Sequence, residues 1–238
     1  MHATNRFSQR ALLWAFSVTL ALGLAGCSSE QSERKAFINF LQTRIIDKPG
    51  VHLPIPTAAD QKSFGEYSKH LAVITDFNTA MDSKVTGPMR ELTAKGMPKS
   101  MPEIMARRAD LATLRENITI MGNNVGTELA KADALRAALK QPDDLKLVYD
   151  KAYARTVTGP ANMIKEFMPA LQSTLQGAEK LADYLEAHKA QIKINGANIE
   201  ITDQKVLDEA NVLVSQMTAK SNEILTAQRK MNALMTGH

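Results

Sequence analysis

The chain has 238 residues, of which 44% are apolar and 23% are charged, with a single Cys and a single Trp. This is ordinary globular composition, so it excludes collagen-like, disulfide-stapled and fully disordered classes, and the length suffices to bury a core. A formal net charge of +4 without a basic block argues against a nucleic-acid partner.

Residues 1–26 have the pattern of a secretory signal peptide. Arg6 and Arg10 make a basic start, residues 11–23 form an uncharged apolar run, and small residues follow. An uncleaved membrane helix is the alternative, but residues 11–26 number only 16, and a spanning helix needs roughly 20. We therefore expect residues 1–26 to be removed.

The end of this segment resembles the lipobox of bacterial lipoproteins, in which Leu and small residues precede an obligatory Cys. Here the residues are Leu24, Ala25, Gly26 and Cys27. The resemblance implies that the nucleophilic thiol of Cys27 carries diacylglycerol, and that its new amino group carries an acyl chain after cleavage. A buried core cysteine is the alternative, which the position of Cys27 behind a signal peptide disfavours.

Lipidation of Cys27 would fix the location of the protein. Each buried CH₂ contributes about 0.8 kcal/mol, so three acyl chains would hold the chain on a membrane almost permanently. Ser28 follows the cysteine. Asp at that position tends to retain enterobacterial lipoproteins at the inner membrane, so the resemblance implies the outer membrane, facing the periplasm by default.

The mature chain would contain no free thiol. Its net charge falls to +2, because the removed segment holds two Arg and no acid. Disulfides, cysteine-based zinc sites and thiol nucleophiles are thereby excluded. We expect residues 27–32 to form the lipidated cysteine and a polar tether, and residues 33–238 to form one helical domain.

Apolar residues at helical spacing predict a helix over about 33–47, ended by Pro49-Gly50. Thr57 and Asp60 come close to a capping box for the next helix. That helix has a seven-residue apolar repeat with Asn78 on its seam. The polar side chain of Asn78 would either fix the register of the helix at a cost in stability or lie solvated at its edge.

A second capping box at Ser100 and Glu103 opens a long helix. If it is unbroken over 101–140, it is about 60 Å long. The stretch 121–126 contains two Gly, each of which costs about 1 kcal/mol in a helix, and is the predicted weak point.

Three further elements follow. Pro142-Asp143-Asp144 opens a helix, because two acids complement the positive end of its dipole, and a kink is expected at Pro169 of the helix after it. Period-two alternation over 191–201 around Asn195-Gly196 predicts a β-hairpin. A final helix is predicted over about 203–235. The expected fold is an all-α, elongated antiparallel helical bundle with one small C-terminal β-hairpin.

One tetrapeptide occurs twice. Val85-Thr86-Gly87-Pro88 recurs as Val157-Thr158-Gly159-Pro160, and Met97-Pro98 has a counterpart in Met168-Pro169, at offsets of 72 and 71 residues. Either a duplicated helix–corner–helix unit or chance reuse of helix-stop residues explains the recurrence.

The mature chain contains no recognised catalytic or phosphate-binding motif. Glu66 and His70 lie one helical turn apart and could join a metal site, although such pairs are more often solvated contacts. Asp143 and Asp144 point about 100° apart on a helix, which suits capping better than acid–base catalysis. We therefore predict no catalytic residue, no metal and no cofactor apart from the acyl groups on Cys27.

Several methionines fall on apolar helix faces, where flexible side chains suit either an adaptable groove for acyl chains or partner helices, or ordinary core filling. They are Met81, Met121, Met163, Met217 and Met231.

Two stretches, residues 33–42 (ERKAFINFLQ) and 139–146 (LKQPDDLK) with Val148 and Ala152, resemble the enterobacterial YiaF-like lipoprotein family, whose function is unknown. The resemblance strengthens an envelope location and assigns no functional residue beyond the lipobox. We expect a non-enzymatic, outer-membrane-anchored lipoprotein that binds an unidentified envelope protein through a helical face. The alternative is a carrier of an apolar, lipid-like ligand between helices.

Overall fold

The computed structural model describes residues 29–94, 96 and 98–237, and it confirms an all-α fold with one small hairpin. The elements in chain order are α1 (29–41), a π-segment Gln42–Ile46, α2 (Ala58–Phe64), a 3₁₀ turn Gly65–Tyr67, α3 (Ser68–Met81), a π-segment Asp82–Thr86, α4 (Gly87–Ala94), α5 (Met101–Ala106), α6 (Arg108–Ala138), α7 (Asp143–Tyr153), a π-segment Ala154–Thr158, α8 (Gly159–Ala187), a 3₁₀ turn Lys189–Gln191, β1 (Ile192–Asn195), β2 (Asn198–Ile201) and α9 (Gln204–Thr236).

The long helices divide the molecule into two halves. In one half, α3 and α7 pack on the C-terminal part of α6, and α1 packs on α3 and α7. In the other, α8 lies between α6 and α9. The pairs Arg108–Asp183 and Arg115–Glu179 show that α6 and α8 are antiparallel. Because α6 has 31 residues, it spans about 46 Å from one half to the other.

Helix α1 is longer at its start than the sequence predicts. From the first described residue, 29, the chain is already helical, so residues 29–32 belong to α1 rather than to an extended tether. Polar residues are acceptable in this first turn because residues 29–32 are exposed.

The long helix predicted over 101–140 is broken, but not at its glycines. The break is at Arg107, whose backbone (φ −104°, ψ 21°) leaves helical geometry between α5 and α6. The Arg107 guanidinium donates to the carbonyl of Gly96 at 2.8 Å. Residues 121–126 stay helical, and Gly122 faces Met168 of α8 at a distance that a methyl group would just fill. The predicted weak point is therefore not a break in the helix, although the Cβ position of Gly126 is open and no packing there requires a glycine.

The capping predictions are largely confirmed. Thr57 and Asp60 form a reciprocal capping box at α2. Ser100 accepts from the Glu103 amide, although the Glu103 carboxylate accepts from Lys99 instead of from Ser100.

Both copies of the Val-Thr-Gly-Pro sequence form the same corner, in which an α-helix passes through a π-segment into the next α-helix. In the first corner (82–88) the Gly87 amide donates to the carbonyl of Asp82, and in the second (154–160) the Gly159 amide donates to that of Ala154. A proline ring clashes with the carbonyl four residues before it and lacks an amide. The wider π-turn accommodates both defects without ending the helix.

The repeat extends upstream of the corners. At an offset of 72 residues the buried positions coincide in four pairs, which are Val73 and Leu145, Phe77 and Tyr149, Met81 and Tyr153, and Val85 and Val157. The Met-Pro part does not coincide, because Pro98 lies in a loop and Pro169 lies within α8, which continues through it. The recurrence is therefore a repeated local structure of about one helix and its corner.

Each proline leaves the carbonyl four residues before it without its helical donor, and an asparagine side chain meets that carbonyl. Asn78 Nδ2 donates to Thr156 O at 3.2 Å, and Asn124 Nδ2 lies 3.5 Å from Lys84 O. Of the two alternatives for Asn78, the structure favours the one in which the side chain fixes the register of α3. It does so relative to the second corner, through Thr156.

The hairpin is confirmed in register. Ile192 pairs with Ile201 and Ile194 with Ile199, and the loop residues are Gly196 (φ +62°) and Ala197. Ile192, Ile199 and Ile201 pack on a small core around Leu181 and Leu185. This core is distinct from the main one, which lies among α1, α3, α6, α7 and the inner face of α8. The hairpin therefore closes the end of the molecule away from residue 29.

Candidate functional site

The predicted lipidation residues Leu24, Ala25, Gly26, Cys27 and Ser28 lie outside the described residues. The part of the chain nearest to them is the start of α1. We define the N-terminal end of the bundle as the surface formed by the starts of α1, α3 and α7 and the end of α6, and we treat it as the candidate site.

The first turn of α1 is fixed to its neighbours. The Tyr67 hydroxyl donates to the Glu30 carboxylate, and the Arg34 guanidinium pairs with Asp144 at 3.6 Å and with Glu30 at 3.9 Å. The carboxylate of Glu33 occupies the space that a Cβ at residue 65 would fill. Gly65 also has a φ of +51°, a value that suits glycine. Residues 30–34 are therefore held against the 3₁₀ turn Gly65–Tyr67 and against α7.

Burial sets the electrostatics of this end. Burial, and then the acceptor Glu30, raise the pKa of Tyr67 to about 12, so its hydroxyl stays protonated and donates at neutral pH. Desolvation lowers the pKa of His70, whose Nδ1 lies 3.1 Å from the Gln141 amide nitrogen. His70 is accordingly neutral at pH 7 and accepts this hydrogen bond.

An aromatic cluster lies beneath these polar contacts. The rings of Phe37, Tyr67, His70 and Tyr149 meet with centroids 5.2–6.4 Å apart. The Tyr149 hydroxyl donates to the His70 carbonyl at 2.9 Å, and burial raises its pKa. Aromatic pairs of this kind contribute about 0.5–1.5 kcal/mol beyond their buried area. The cluster therefore stabilises the packing of this end of the bundle.

A charged cleft of about 570 Å³ opens beside the cluster, between α6 and α7. Arg136 donates to Asp150 at 3.0 Å, Lys146 donates to the same carboxylate at 2.5 Å, and the Arg136 guanidinium stacks on Tyr153 at 4.7 Å. Burial alone would raise the pKa of Asp150, but the hydrogen bonds from Lys146 and Arg136 hold it below its ordinary value. The charged groups of the cleft are thus paired with one another.

The residues weighed for metal binding and catalysis do not assemble a site. Glu66 binds Lys69 at 2.5 Å, and the His70 ring faces Gln141 instead. The Asp144 carboxylate accepts from the Leu145 amide in the first turn of α7, but the N-cap position is Pro142 and no side chain caps it. Within the described ranges no group of three His, Cys, Asp or Glu side chains is placed to hold a metal ion.

The methionines singled out in the sequence divide between the interior and partly exposed positions. Met81 and Met121 are buried, and Met163, Met217 and Met231 are half-buried. Clefts between α8 and α9 and between α6 and α8 carry charged side chains, such as Glu166 and Lys230 in the first and Arg108 and Asp183 in the second. Core filling is therefore the interpretation that the contacts favour.

Sequence reasoning missed the contacts of Glu30, Arg34 and Tyr67. The polar composition of residues 29–32 predicts a tether, and no local pattern links Glu30 or Arg34 to Tyr67 or Asp144, which lie more than thirty positions away. The signal that existed was the helix-compatible composition of residues 30–36, which contains no Gly or Pro.

The fold and this end together define a class, an all-α bundle whose first helix is fixed to the body from its first turn. In the described part of the chain no helix is long and apolar enough to span a bilayer. A family model described as "Protein of unknown function (DUF3053)" matches residues 15–232, and the chain belongs to that family.

The names of the similar proteins assign them no function. Proteins named "Uncharacterized protein YiaF" from Escherichia coli K12, Escherichia coli O157:H7 and Shigella flexneri are each 28% identical to this chain over 223 residues, covering 92% of it and 93% of the relative. No solved structure matches. The resemblance to the YiaF-like family is confirmed, whereas the lipobox at Leu24–Cys27 stays a prediction.

Proposed function

We propose that the protein is a lipoprotein of the outer membrane, anchored through Cys27, whose helical body is a non-enzymatic module that binds an envelope protein. The observation that supports the anchor is the position of Cys27 relative to the first described helix. The only cysteine lies two residues before a helix whose first turn is fixed to the body.

The proposal for an interaction module rests on the half of the molecule away from residue 29. Helix α9 packs mainly on α8, and large apolar side chains along α9 and the hairpin are exposed by about half, among them Ile194, Val212 and Leu225. Apolar side chains scattered singly on a surface are normal, so these residues only mark α9 as the face to test. An interaction module is preferred because a small-molecule binder requires a concave, mostly apolar pocket.

The carrier alternative has less support. A carrier needs an enclosed apolar cavity between helices, whereas Met81 and Met121 are packed in the core and the clefts described above are open and contain charged side chains. Native mass spectrometry of the chain from Ser28 onward tests it directly, since retained lipid would revive the carrier.

The anchor is tested by Cys27→Ser in cells fed radiolabelled palmitate. We expect label in the wild-type chain and none in the variant, which should also leave the membrane pellet. Ser28→Asp is the matched control, because it should keep the label and move the protein to the inner membrane. Label that persists in Cys27→Ser contradicts the anchor, and an unmoved Ser28→Asp variant contradicts only the outer-membrane assignment.

The interaction module is tested by a photo-crosslinking residue placed at Val212 in intact cells, with the exposed position Lys35 on α1 as the control. We expect one stoichiometric adduct from position 212 and none from 35. Identical adducts from both positions, or none from 212 and from Leu225, count against binding through α9.

A further inference from the structure

We infer that the N-terminal end of the bundle rests directly on zwitterionic phospholipid headgroups, and that the hairpin is held one α6 length away from the bilayer. This deepens the proposed function and rests on the lipid anchor at Cys27.

The first argument is the length of chain between the anchor and the folded body. Only Ser28 separates the proposed anchor, Cys27, from the first described residue, Ser29. The two residues 27 and 28 reach at most about 7 Å. The contacts of Glu30 with Tyr67 and of Arg34 with Asp144 leave no slack in the turn that follows. Acyl chains in the bilayer therefore bring this end of the body to the headgroup layer.

The second argument is the charge of the surface that arrives there. Exposed side chains at this end carry both signs in equal number. Lys69 and Glu66 pair with each other at 2.5 Å, and Lys140 and Asp143 add one further cation and one further anion. A headgroup with a phosphate and an ammonium can accept from the lysines and donate to the carboxylates. An anionic headgroup would meet as many carboxylates as ammonium groups, so the surface fits phosphatidylethanolamine chemistry best.

The third argument is the direction of the helices. Helices α1, α3 and α7 start at this end and α6 ends there, while the start of α6 lies beside Asp183 near the hairpin. The 31 residues of α6 correspond to about 46 Å. Seating the N-terminal end on the bilayer therefore projects α5, the hairpin and the start of α9 away from it.

The test uses the absence of any cysteine other than Cys27. Full-length protein carrying Lys140→Cys or Lys193→Cys is labelled with a maleimide donor dye and placed in vesicles of phosphatidylethanolamine and phosphatidylglycerol that contain a headgroup-linked acceptor dye. Both variants replace an exposed Lys, one at each end of the molecule. We expect energy transfer from position 140 to exceed that from position 193 several-fold.

Two controls separate the possible failures. Wild-type protein should not react with the maleimide, because lipidation blocks Cys27, and reaction there overturns the anchor itself. A flexible Gly-Ser insertion of about ten residues between Ser28 and Ser29 adds roughly 17 Å of reach and should reduce the difference between the two positions. Unreactive wild type with equal transfer from positions 140 and 193 overturns the seating alone.

Discussion

The first corner (82–88) lies largely in solvent, with Ser83, Lys84 and Thr86 exposed and Val85 buried, whereas Thr156 and Val157 of the second corner (154–160) have no exposed surface. The backbone is the same in both, since each π-segment is closed by a Gly amide before Pro. The tetrapeptide therefore determines the local geometry, and the surroundings determine how much each corner contributes to stability.

The two corners are also attached to the rest of the chain differently. In the first, the Lys84 ammonium pairs with the buried carboxylate of Glu128 on α6. In the second, the Arg155 guanidinium donates to the backbone carbonyls of Lys48 and Gly50. Gly50 in turn packs against the end of α9. The second corner thus links three distant parts of the chain, and the first links two helices.

Arg155→Ala is expected to have the largest effect. It removes two charge-assisted hydrogen bonds, together about 3 kcal/mol, and leaves the carbonyl of buried Gly50 without its donor. Ser83→Ala, at the equivalent position of the first corner, is the matched control and should change the free energy of unfolding by less than about 0.5 kcal/mol. Urea unfolding of the chain from Ser28 onward measures both, and equal losses would refute the distinction between the corners.

Lys84→Met should cost about 2 kcal/mol at neutral pH, because it leaves the Glu128 carboxylate buried without a partner. The Lys84 hydrogen bond holds the pKa of Glu128 below its ordinary value of 4.5. The stabilisation is therefore present above pH 4.5 and is lost as the pH falls through the lowered pKa. Unfolding of wild type and variant between pH 7 and pH 3 should converge at the acid end, and a pH-independent difference would rule out the ion pair as its cause.

Asn78→Ala should destabilise the protein by about 1–2 kcal/mol, since it leaves a buried carbonyl of the second corner unsatisfied. Asn124→Ala removes the corresponding but longer contact at the exposed first corner, where water can replace it, and should cost less than about 0.5 kcal/mol. Thermal unfolding of the two variants side by side measures the difference. A larger loss for Asn124→Ala would show that burial does not rank the corners.

The sequence predicted most of the elements of this fold because their signals are local. Heptad spacing predicted the long helices, the Thr57–Asp60 capping box predicted the start of α2, and apolar alternation around Gly196 predicted the hairpin. The recurrence of Val-Thr-Gly-Pro also pointed to the two corners, although Gly-Pro is ordinarily a stop signal and nothing local indicates that the helix continues through a π-turn.

What the sequence did not predict depends on contacts between distant residues. At the break between α5 and α6, the Arg107 guanidinium donates to the Gly96 carbonyl. The start of α1 is fixed by the contacts of Glu30 with Tyr67 and of Arg34 with Asp144. Gly122 lies beside Met168 of α8, at a distance that leaves room for a Cβ. In each case the deciding partner lies outside the window that periodicity and capping rules can read.

Alanine substitutions at Gly87, Gly126 and Gly159 have the smallest expected effects. They also test most directly whether the two corners share one geometry. A Cβ at Gly87 would lie 3.0 Å from Asp82 O, and one at Gly159 would lie 3.0 Å from Ala154 O, whereas a Cβ at Gly126 in α6 meets no atom within 4 Å. Gly126→Ala should therefore stabilise the protein by up to about 1 kcal/mol, the ordinary gain in a helix. Gly87→Ala should lose that gain because the π-turn carbonyl must move. Gly159→Ala should be destabilising, by about 1 kcal/mol, because the buried neighbours Thr156 and Val157 resist the same movement. Differential scanning calorimetry of the three variants orders them, and an equal gain at all three positions would contradict a π-turn at either corner.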